Sequence, residues 1–377
     1  MPASPRPKVL IVSEISEENP VYIEEFSRHF ECIHYRPTSI AQFEADLTKP
    51  EYADIAGVWA MWLGFAEFGP GKLSPRVLNA LPPTVKVFAI ATIGYDHYDV
   101  DAFTKRGIVF THNRGIGSLQ VADIALFLLL ATFRFTSALE HHLRTRGSLP
   151  LARGDARVEV FDHSVANRNA VAAATPRLAY EFGDRVGGRP VESPYGRRCG
   201  IVGMGAIGKE VVRRVIGLGM SVHFYTRTPL AHIVLEKLPM HAVTVYSSLE
   251  ELLPNCDVIV LCLPLTPQSK HMLNDDTLAK LPAGARVVNV GRGGLIDTDA
   301  LVRALDSGHI SAAGLDVYES EPELPSSLRE RWDVTLLPHI GSATIETVEM
   351  AEIGVMRNIE NVLLQHGKGI TPLNDLS

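Results

Sequence analysis

Arg292, Glu321 and His339 each follow an apolar run in the second half of the chain: Val287-Val288-Asn289-Val290-Gly291, Leu315-Asp316-Val317-Tyr318 and Leu337-Pro338. Such runs read as buried parallel strands, which places the three side chains on loops at one edge of a sheet. A forked guanidinium holds a carboxylate and polarises a carbonyl. An imidazole transfers a proton near neutral pH. A carboxylate beside the imidazole orients the ring and favours its charged form. Together they suit hydride reduction of a 2-keto acid, where a proton must reach the developing alkoxide. Glu321 then raises the His339 pKa, and reduction fades as pH climbs above it. Taken singly, each residue also fits a plainer part: Arg292 a loop cap, Glu321 one acid among Glu319–Glu323, His339 a satisfied core histidine. Their common place downstream of a nucleotide turn favours the chemistry.

That turn is Gly203-Met204-Gly205-Ala206-Ile207-Gly208. Cys199-Gly200-Ile201-Val202 before it reads as a strand. Lys209–Leu218 after it reads as a helix with Val211, Val212, Val215, Ile216 and Leu218 at helical spacing, and Ser221–Thr226 as a second strand. In such a βαβ unit the first glycine permits a tight turn, the second admits a pyrophosphate, and the third lets helix and strand pack closely. The phosphates sit on the N–H groups and positive end of the helix. An NAD site usually places an acid at the end of the second strand. Here the strand ends Tyr225-Thr226-Arg227-Thr228-Pro229, with no carboxylate before Glu236. Arg227 suits a 2′-phosphate, held bidentately. The residues therefore point to NADP as the preferred cofactor, with NAD possible.

The elements that must carry these loops need a long chain, and 377 residues allow two domains with sizeable cores. Apolar residues make up 46% and charged residues 21%, as in ordinary soluble proteins. A net charge of −7 without a basic run argues against nucleic acid or an anionic membrane as partner. Cys32, Cys199, Cys256 and Cys262 lie in or beside apolar runs without CxxC spacing. They read as core residues in a reducing, cytoplasmic setting, with no metal site. The N-terminus lacks the apolar region of a signal peptide. Ile124–Phe133 is too short to span a bilayer, and Asp375-Leu376-Ser377 is not a peroxisomal signal.

In the first 110 residues, strands at Val9–Val12, Ile55–Ala60, Lys86–Ala91 and Val109–Thr111 alternate with helices near Val21–Phe30 and Ser74–Ala80. This pattern predicts a parallel α/β domain. One apolar helix is expected from about Ser118 to His142, buried between domains or subunits. Residues from about 147 to 194 have weak periodicity and read as an irregular insertion. From Arg198 a second βαβ series begins, with strands at Asp257–Leu263, Arg286–Val290, Ala312–Asp316 and Val334–Leu337. A last helix is expected over about Ile345–Gln365, with Val348, Ile353, Met356, Ile359 and Leu363 on one face.

On its motifs the chain resembles the D-isomer-specific 2-hydroxyacid dehydrogenase family. The likeness covers about Val85 to Asn358, interrupted near 150–194. Gly203–Gly208 resembles the family's cofactor turn, and Leu263-Pro264-Leu265-Thr266-Pro267 its next nucleotide loop. Asn289-Val290-Gly291-Arg292-Gly293-Gly294 is similar to its arginine motif, Gly314–Pro322 to its glutamate motif, and Pro338-His339-Ile340-Gly341-Ser342 to its histidine motif. The resemblance implies that Arg292 binds substrate and that Glu321 and His339 form the acid/base pair. It places Asp316 near the nicotinamide, with Val290, Gly291 and Gly341 in the cofactor motifs. It also implies that Ile93 and Gly94 offer backbone N–H groups to the substrate carboxylate. A D-product and a homodimer through the apolar helix follow from the same likeness.

Two departures refine it. Thr226-Arg227 replaces the usual acid, as in the NADP-preferring glyoxylate/hydroxypyruvate reductase branch. The loop Asn113–Ser118 continues to Val121-Ala122-Asp123 where the family has Val-Ala-Glu, and looks closer to fungal D-mandelate dehydrogenases. After the second strand of the first domain comes Val58-Trp59-Ala60-Met61-Trp62-Leu63-Gly64-Phe65. Trp59 and Met61 either line an apolar substrate pocket, suiting a bulky or phenyl side chain, or pack the domain.

The sequence thus predicts an α/β protein of two Rossmann-like domains, doubly wound parallel sheets with a cleft between them. Residues 1–112 with 338–377 form a flavodoxin-like substrate domain, and 113–337 a coenzyme domain. The expected partner is a small 2-keto or 2-hydroxy acid. Alternatives are a glyoxylate/hydroxypyruvate reductase and a nucleotide-sensing corepressor on the same fold. A formate-dehydrogenase-like activity would need Gln at Glu321.

Overall fold

Strands β1 (Lys8–Val12), β2 (Glu31–Tyr35), β3 (Ile55–Ala60), β4 (Val87–Ile90) and β5 (Val109–Thr111) pair in parallel in the order β2-β1-β3-β4-β5. This is the flavodoxin-like strand order. The computed structural model describes residues 5–12, 19–61, 75–96, 98–158, 182–227 and 243–376. β1, β3 and β4 are buried along nearly their whole length, as parallel strands covered on both faces must be. Alternate residues feed two cores: Leu10, Val58 and Phe88 pack on one face. Val9, Ile11, Trp59 and Val87 meet Phe26 and the helix Ile345–Leu363 on the other.

A hairpin, β6 (Arg185–Val186) with β7 (Arg189–Pro190), precedes the second sheet. That sheet comprises β8 (Arg198–Val202), β9 (Ser221–Tyr225), β10 (Val243–Tyr246), β11 (Val258–Leu261), β12 (Ala285–Asn289), β13 (Ile310–Leu315) and β14 (Val334–Leu336). All seven run parallel in the order β10-β9-β8-β11-β12-β13-β14. This is doubly wound, with a topological switch between β8 and β11. Ile201, Val260 and Val288 pack on one face with the helix Ser118–Arg134; Val202, Ile259 and Val287 pack on the other.

The chain divides into two compact units, Met1–Gly117 with Ala343–Ser377, and Ser118–Ser342. Hydrogen bonds set these boundaries, and they differ from the expected ones. Asn113 Nδ2 donates to the carbonyls of Ala91 and Ala351, both 2.9 Å away, so residues 113–117 stay with the first unit. Asp316 takes the N–H groups of Ile340 and Gly341, so 338–342, with His339, belong to the second.

Several elements depart from expectation. The single helix over 118–142 is two, Ser118–Arg134 and Thr136–Arg146, bent by 68°. Phe135 turns the chain in the left-handed region (φ 48°), which buries its ring against Trp332 at 5.6 Å. Within the segment read as irregular, Leu149–Val158 is a helix and the β6–β7 hairpin is regular; residues 159–181 lie outside the described residues. β2, β10 and the helices Ile40–Asp46 and Val100–Lys105 have too few periodic apolar residues to announce themselves. On the last helix the buried line runs through Thr347, Ala351, Val355, Met356, Ile359 and Val362; Val348, Ile353 and Leu363 are half-buried.

Candidate active site

Gly203 leaves β8 with φ 97°, and a Cβ there would lie 2.7 Å from the Cys262 carbonyl oxygen. Only glycine takes this conformation at so close an approach. Gly208, in the first turn of the helix Ala206–Gly217, faces the Gly203 carbonyl so tightly that any Cβ would collide. Gly205 differs, because nothing lies within 4 Å of where its Cβ would stand. It caps that helix without a side-chain hydrogen bond. The outer glycines therefore pack, while the middle one leaves an open approach to the helix N-terminus. This arrangement fits a pyrophosphate.

The other expected cofactor residues lie at the same carboxyl edge of the sheet. Leu263 and Pro264 follow β11, and Val290 and Gly291 follow β12. The two loops touch: a Cβ on Gly291 would lie 2.7 Å from the Leu263 carbonyl oxygen. Arg227 follows β9, is exposed, and pairs with no carboxylate among the described residues. Thr228 lies outside them.

Asn289 ends β12 fully buried and braces the arginine loop. Its Oδ1 accepts the Gly291 N–H at 3.0 Å, and its Nδ2 donates to the Arg292 carbonyl at 2.8 Å. Arg292 is half-buried, with Nη1 donating to the Gly291 carbonyl at 2.7 Å. Gly293 lies so close against the Tyr318–Glu319 backbone that no side chain fits there, which brings the arginine and glutamate loops together.

Glu321 Oε1 accepts the Tyr318 N–H at 2.8 Å, and its Oε2 lies 2.9 Å from His339 Nδ1. Asp316, 2% exposed, fixes the histidine loop by accepting the Ile340 and Gly341 N–H groups, each at 2.8 Å. The Tyr318 hydroxyl donates to the Leu337 carbonyl at 2.6 Å and adds a second tie between the β13 and β14 loops.

The electrostatics follow from these contacts. The hydrogen bond to Glu321 holds the His339 pKa above the usual imidazole value, against the opposing effects of burial and of the Arg292 charge. Burial pushes Glu321 up, but the bonds from His339 and the Tyr318 N–H outweigh it, leaving the carboxyl below its usual range. Burial raises Asp316 against its two N–H donors. The His339 side chain remains 51% exposed. Because Nδ1 faces Glu321, Nε2 is the nitrogen left to exchange a proton with a ligand.

The first unit corrects one expectation. Trp59 has no exposed surface; its Nε1 donates to Met61 Sδ at 2.9 Å, and its ring meets Phe26 edge-on at 5.7 Å. Met61 is 5% exposed. Both are core residues, packed at and just after the end of β3 into the helix-covered face. Trp62 and Phe65 lie outside the described residues. Ile93 and Gly94 are half-buried in the loop after β4, and neither N–H has a hydrogen-bond partner among the described residues. Asn289 and Tyr318 were missed as bracing residues. A polar Asn inside the apolar run Val287–Val290 was the legible signal for the first.

The family model described as "D-isomer specific 2-hydroxyacid dehydrogenase, NAD binding domain" matches residues 170–341. A glyoxylate reductase of Thermococcus kodakarensis is 34% identical over 359 residues, 94% of this chain and 92% of that protein. The apo crystal structure of Rhodotorula graminis D-mandelate dehydrogenase superposes with a TM-score of 0.82 at 31% identity, covering 99% of both chains. An NADPH-dependent glyoxylate/hydroxypyruvate reductase from Sinorhizobium meliloti, solved with NADP and malonate, has a TM-score of 0.73 at 28% identity, covering 99% of this chain and 98% of that one. With the glycine turn and the arginine, glutamate and histidine motifs at one sheet edge, the chain belongs to the D-isomer-specific 2-hydroxyacid dehydrogenase family, oxidoreductases that act on CH–OH groups with a nicotinamide cofactor.

Proposed function

We propose that the protein reduces a 2-keto acid to the D-2-hydroxy acid, and catalyses the reverse, with NADPH preferred to NADH. The observation that carries this reading is the 2.9 Å His339–Glu321 pair, beside Arg292 on the sheet edge that also holds the glycine turn. When bound, the nicotinamide supplies the hydride. Arg292 binds the substrate and polarises its carbonyl, while the Ile93 and Gly94 N–H groups take the carboxylate. His339 donates the Nε2 proton to the forming alkoxide, and Glu321 holds Nδ1–H and the ring orientation throughout. Gly203, Gly205, Ala206, Ile207 and Gly208 receive the pyrophosphate. Leu263, Pro264, Val290, Gly291, Asp316 and Gly341 flank the cofactor.

Arg227 supports the NADPH preference, with Thr228 beside it. It is an exposed guanidinium, with no carboxylate partner among the described residues, where an NAD enzyme keeps an acid. Arg227→Asp is expected to raise the KM for NADPH about tenfold or more and to improve use of NADH, since a charge-assisted pair is lost and a repulsion gained. Unchanged preference in steady-state assays with both cofactors would show that Arg227 does not read the 2′-phosphate.

For the substrate we propose a bulky, apolar 2-keto acid such as phenylglyoxylate. The apolar run Trp62-Leu63-Gly64-Phe65 after β3 and the likeness to D-mandelate dehydrogenase support this. The likeness to glyoxylate reductases supports glyoxylate as the second reading. A panel of 2-keto acids of increasing size separates them. Highest kcat/KM on phenylglyoxylate or branched acids is expected, and highest kcat/KM on glyoxylate would reverse the order. No NADPH consumption across the panel would favour a sensor over an enzyme.

A homodimer is also proposed, in a cytoplasmic setting. Leu119, Phe127, Leu143, Leu149 and Leu151 are exposed apolar residues on consecutive helices between 118 and 158, a surface that a second copy would cover. Sedimentation equilibrium at twice the chain mass is expected, and a monomer at micromolar concentration would remove this proposal.

A further inference from the structure

The loop after β4 carries the Ile93 and Gly94 N–H groups, neither of them hydrogen-bonded among the described residues, and the two residues that follow β5 hold both peptides from behind. The Thr92 carbonyl accepts the Asn113 N–H at 3.1 Å, and the Ile93 carbonyl lies 2.9 Å from His112 Nδ1. Each of these carbonyls shares a planar trans peptide with the next amide, so each N–H points the opposite way. The Thr92–Ile93 peptide carries the Ile93 N–H, and the Ile93–Gly94 peptide carries the Gly94 N–H. Neither N–H is used among the described residues. A hydrogen bond into a peptide carbonyl polarises the whole unit and strengthens its N–H as a donor.

A carbonyl oxygen only accepts, so His112 Nδ1 carries the proton in this contact. The residue is well fixed for the task. It is 9% exposed, its ring meets Tyr95 edge-on at 5.5 Å, and its N–H donates to the Thr371 carbonyl at 3.2 Å. Burial lowers its pKa, which keeps the ring neutral with its single proton on the nitrogen that serves Ile93. The Thr92 hydroxyl donates to the Gly94 carbonyl at 2.7 Å and stiffens the same loop.

We propose that His112 is a positioning residue for the substrate carboxylate: through the Ile93 carbonyl it orients and strengthens the Gly94 N–H as an anion donor. This inference rests on the reading of Ile93 and Gly94 as the carboxylate site. His112→Phe keeps a ring beneath Tyr95 and removes the donor, whereas His112→Asn restores an N–H where Nδ1 stood. For His112→Phe the KM of the 2-keto acid is expected to rise roughly three- to tenfold, the cost of one neutral hydrogen bond, with kcat and NADPH affinity retained. His112→Asn is expected to recover most of that rise. If His112→Phe does not fold, His112→Leu takes its place against the same Asn control. An unchanged KM in the donor-less variant, or equal loss in kcat and in His112→Asn, would overturn the proposal. A wild-type enzyme that consumes no NADPH with any 2-keto acid would instead overturn the functional reading beneath it.

Discussion

His339→Ala is expected to lose about 10²–10⁴-fold in kcat for 2-keto acid reduction, the usual contribution of a positioned general acid. NADPH binding, followed by nicotinamide fluorescence, should be retained. His339 reaches out of a loop that Asp316 holds through the Ile340 and Gly341 N–H groups, and none of the glycine-turn contacts involves it. Truncating the imidazole therefore leaves the loop anchored and the turn intact. Near-normal turnover in this variant would remove His339 from the mechanism.

Arg292→Ala is the second large effect. Loss of a donor aimed at developing oxyanion charge typically costs about 10²–10³-fold, and here kcat/KM should fall at least that far because substrate binding is lost as well. Arg292→Lys should recover only part, since an ammonium is a point charge without the planar fork. The Asn289 brace acts on the backbone of the loop, so melting temperature should hardly move in either variant. Full activity in Arg292→Lys would show that charge alone suffices and that the fork contributes nothing.

Much of this arrangement was legible because it depends on local sequence. The turn could be read from the glycine spacing together with the flanking strand-like runs and helix, and each glycine answers a separate backbone demand: a φ of 97° at Gly203, an open approach at Gly205, a close contact at Gly208. Arg292, Glu321 and His339 were legible as residues that follow apolar strands in a parallel sheet. What could not be read is long-range. The break at Phe135 answers to Trp332, nearly two hundred residues later, and no local breaker marks it. Trp59 and Met61 looked like pocket residues because period-2 patterning does not say which face of a two-sided sheet meets a core helix. The full burial of Trp59 in the cluster of Val9, Ile11, Phe26 and Ile359 settles that only in three dimensions. The unit boundary around His339 likewise depends on the buried Asp316 carboxylate, which the sequence offered only as a cofactor neighbour.

If Glu321 tunes His339 as the proton donor, the pH dependence of kcat in both directions must carry its mark. The Glu321 bond raises the His339 pKa, so the imidazolium persists above the ordinary histidine value. Reduction needs that charged form and should fall as pH rises through the raised pKa. Oxidation needs the neutral ring and should climb through the same point. In Glu321→Gln both limbs should move to lower pH, toward the ordinary histidine value of about 6.5. Limbs that stay in place in Glu321→Gln, or that fail to mirror one another in the wild type, would mean that the Glu321–His339 pair is not the proton donor.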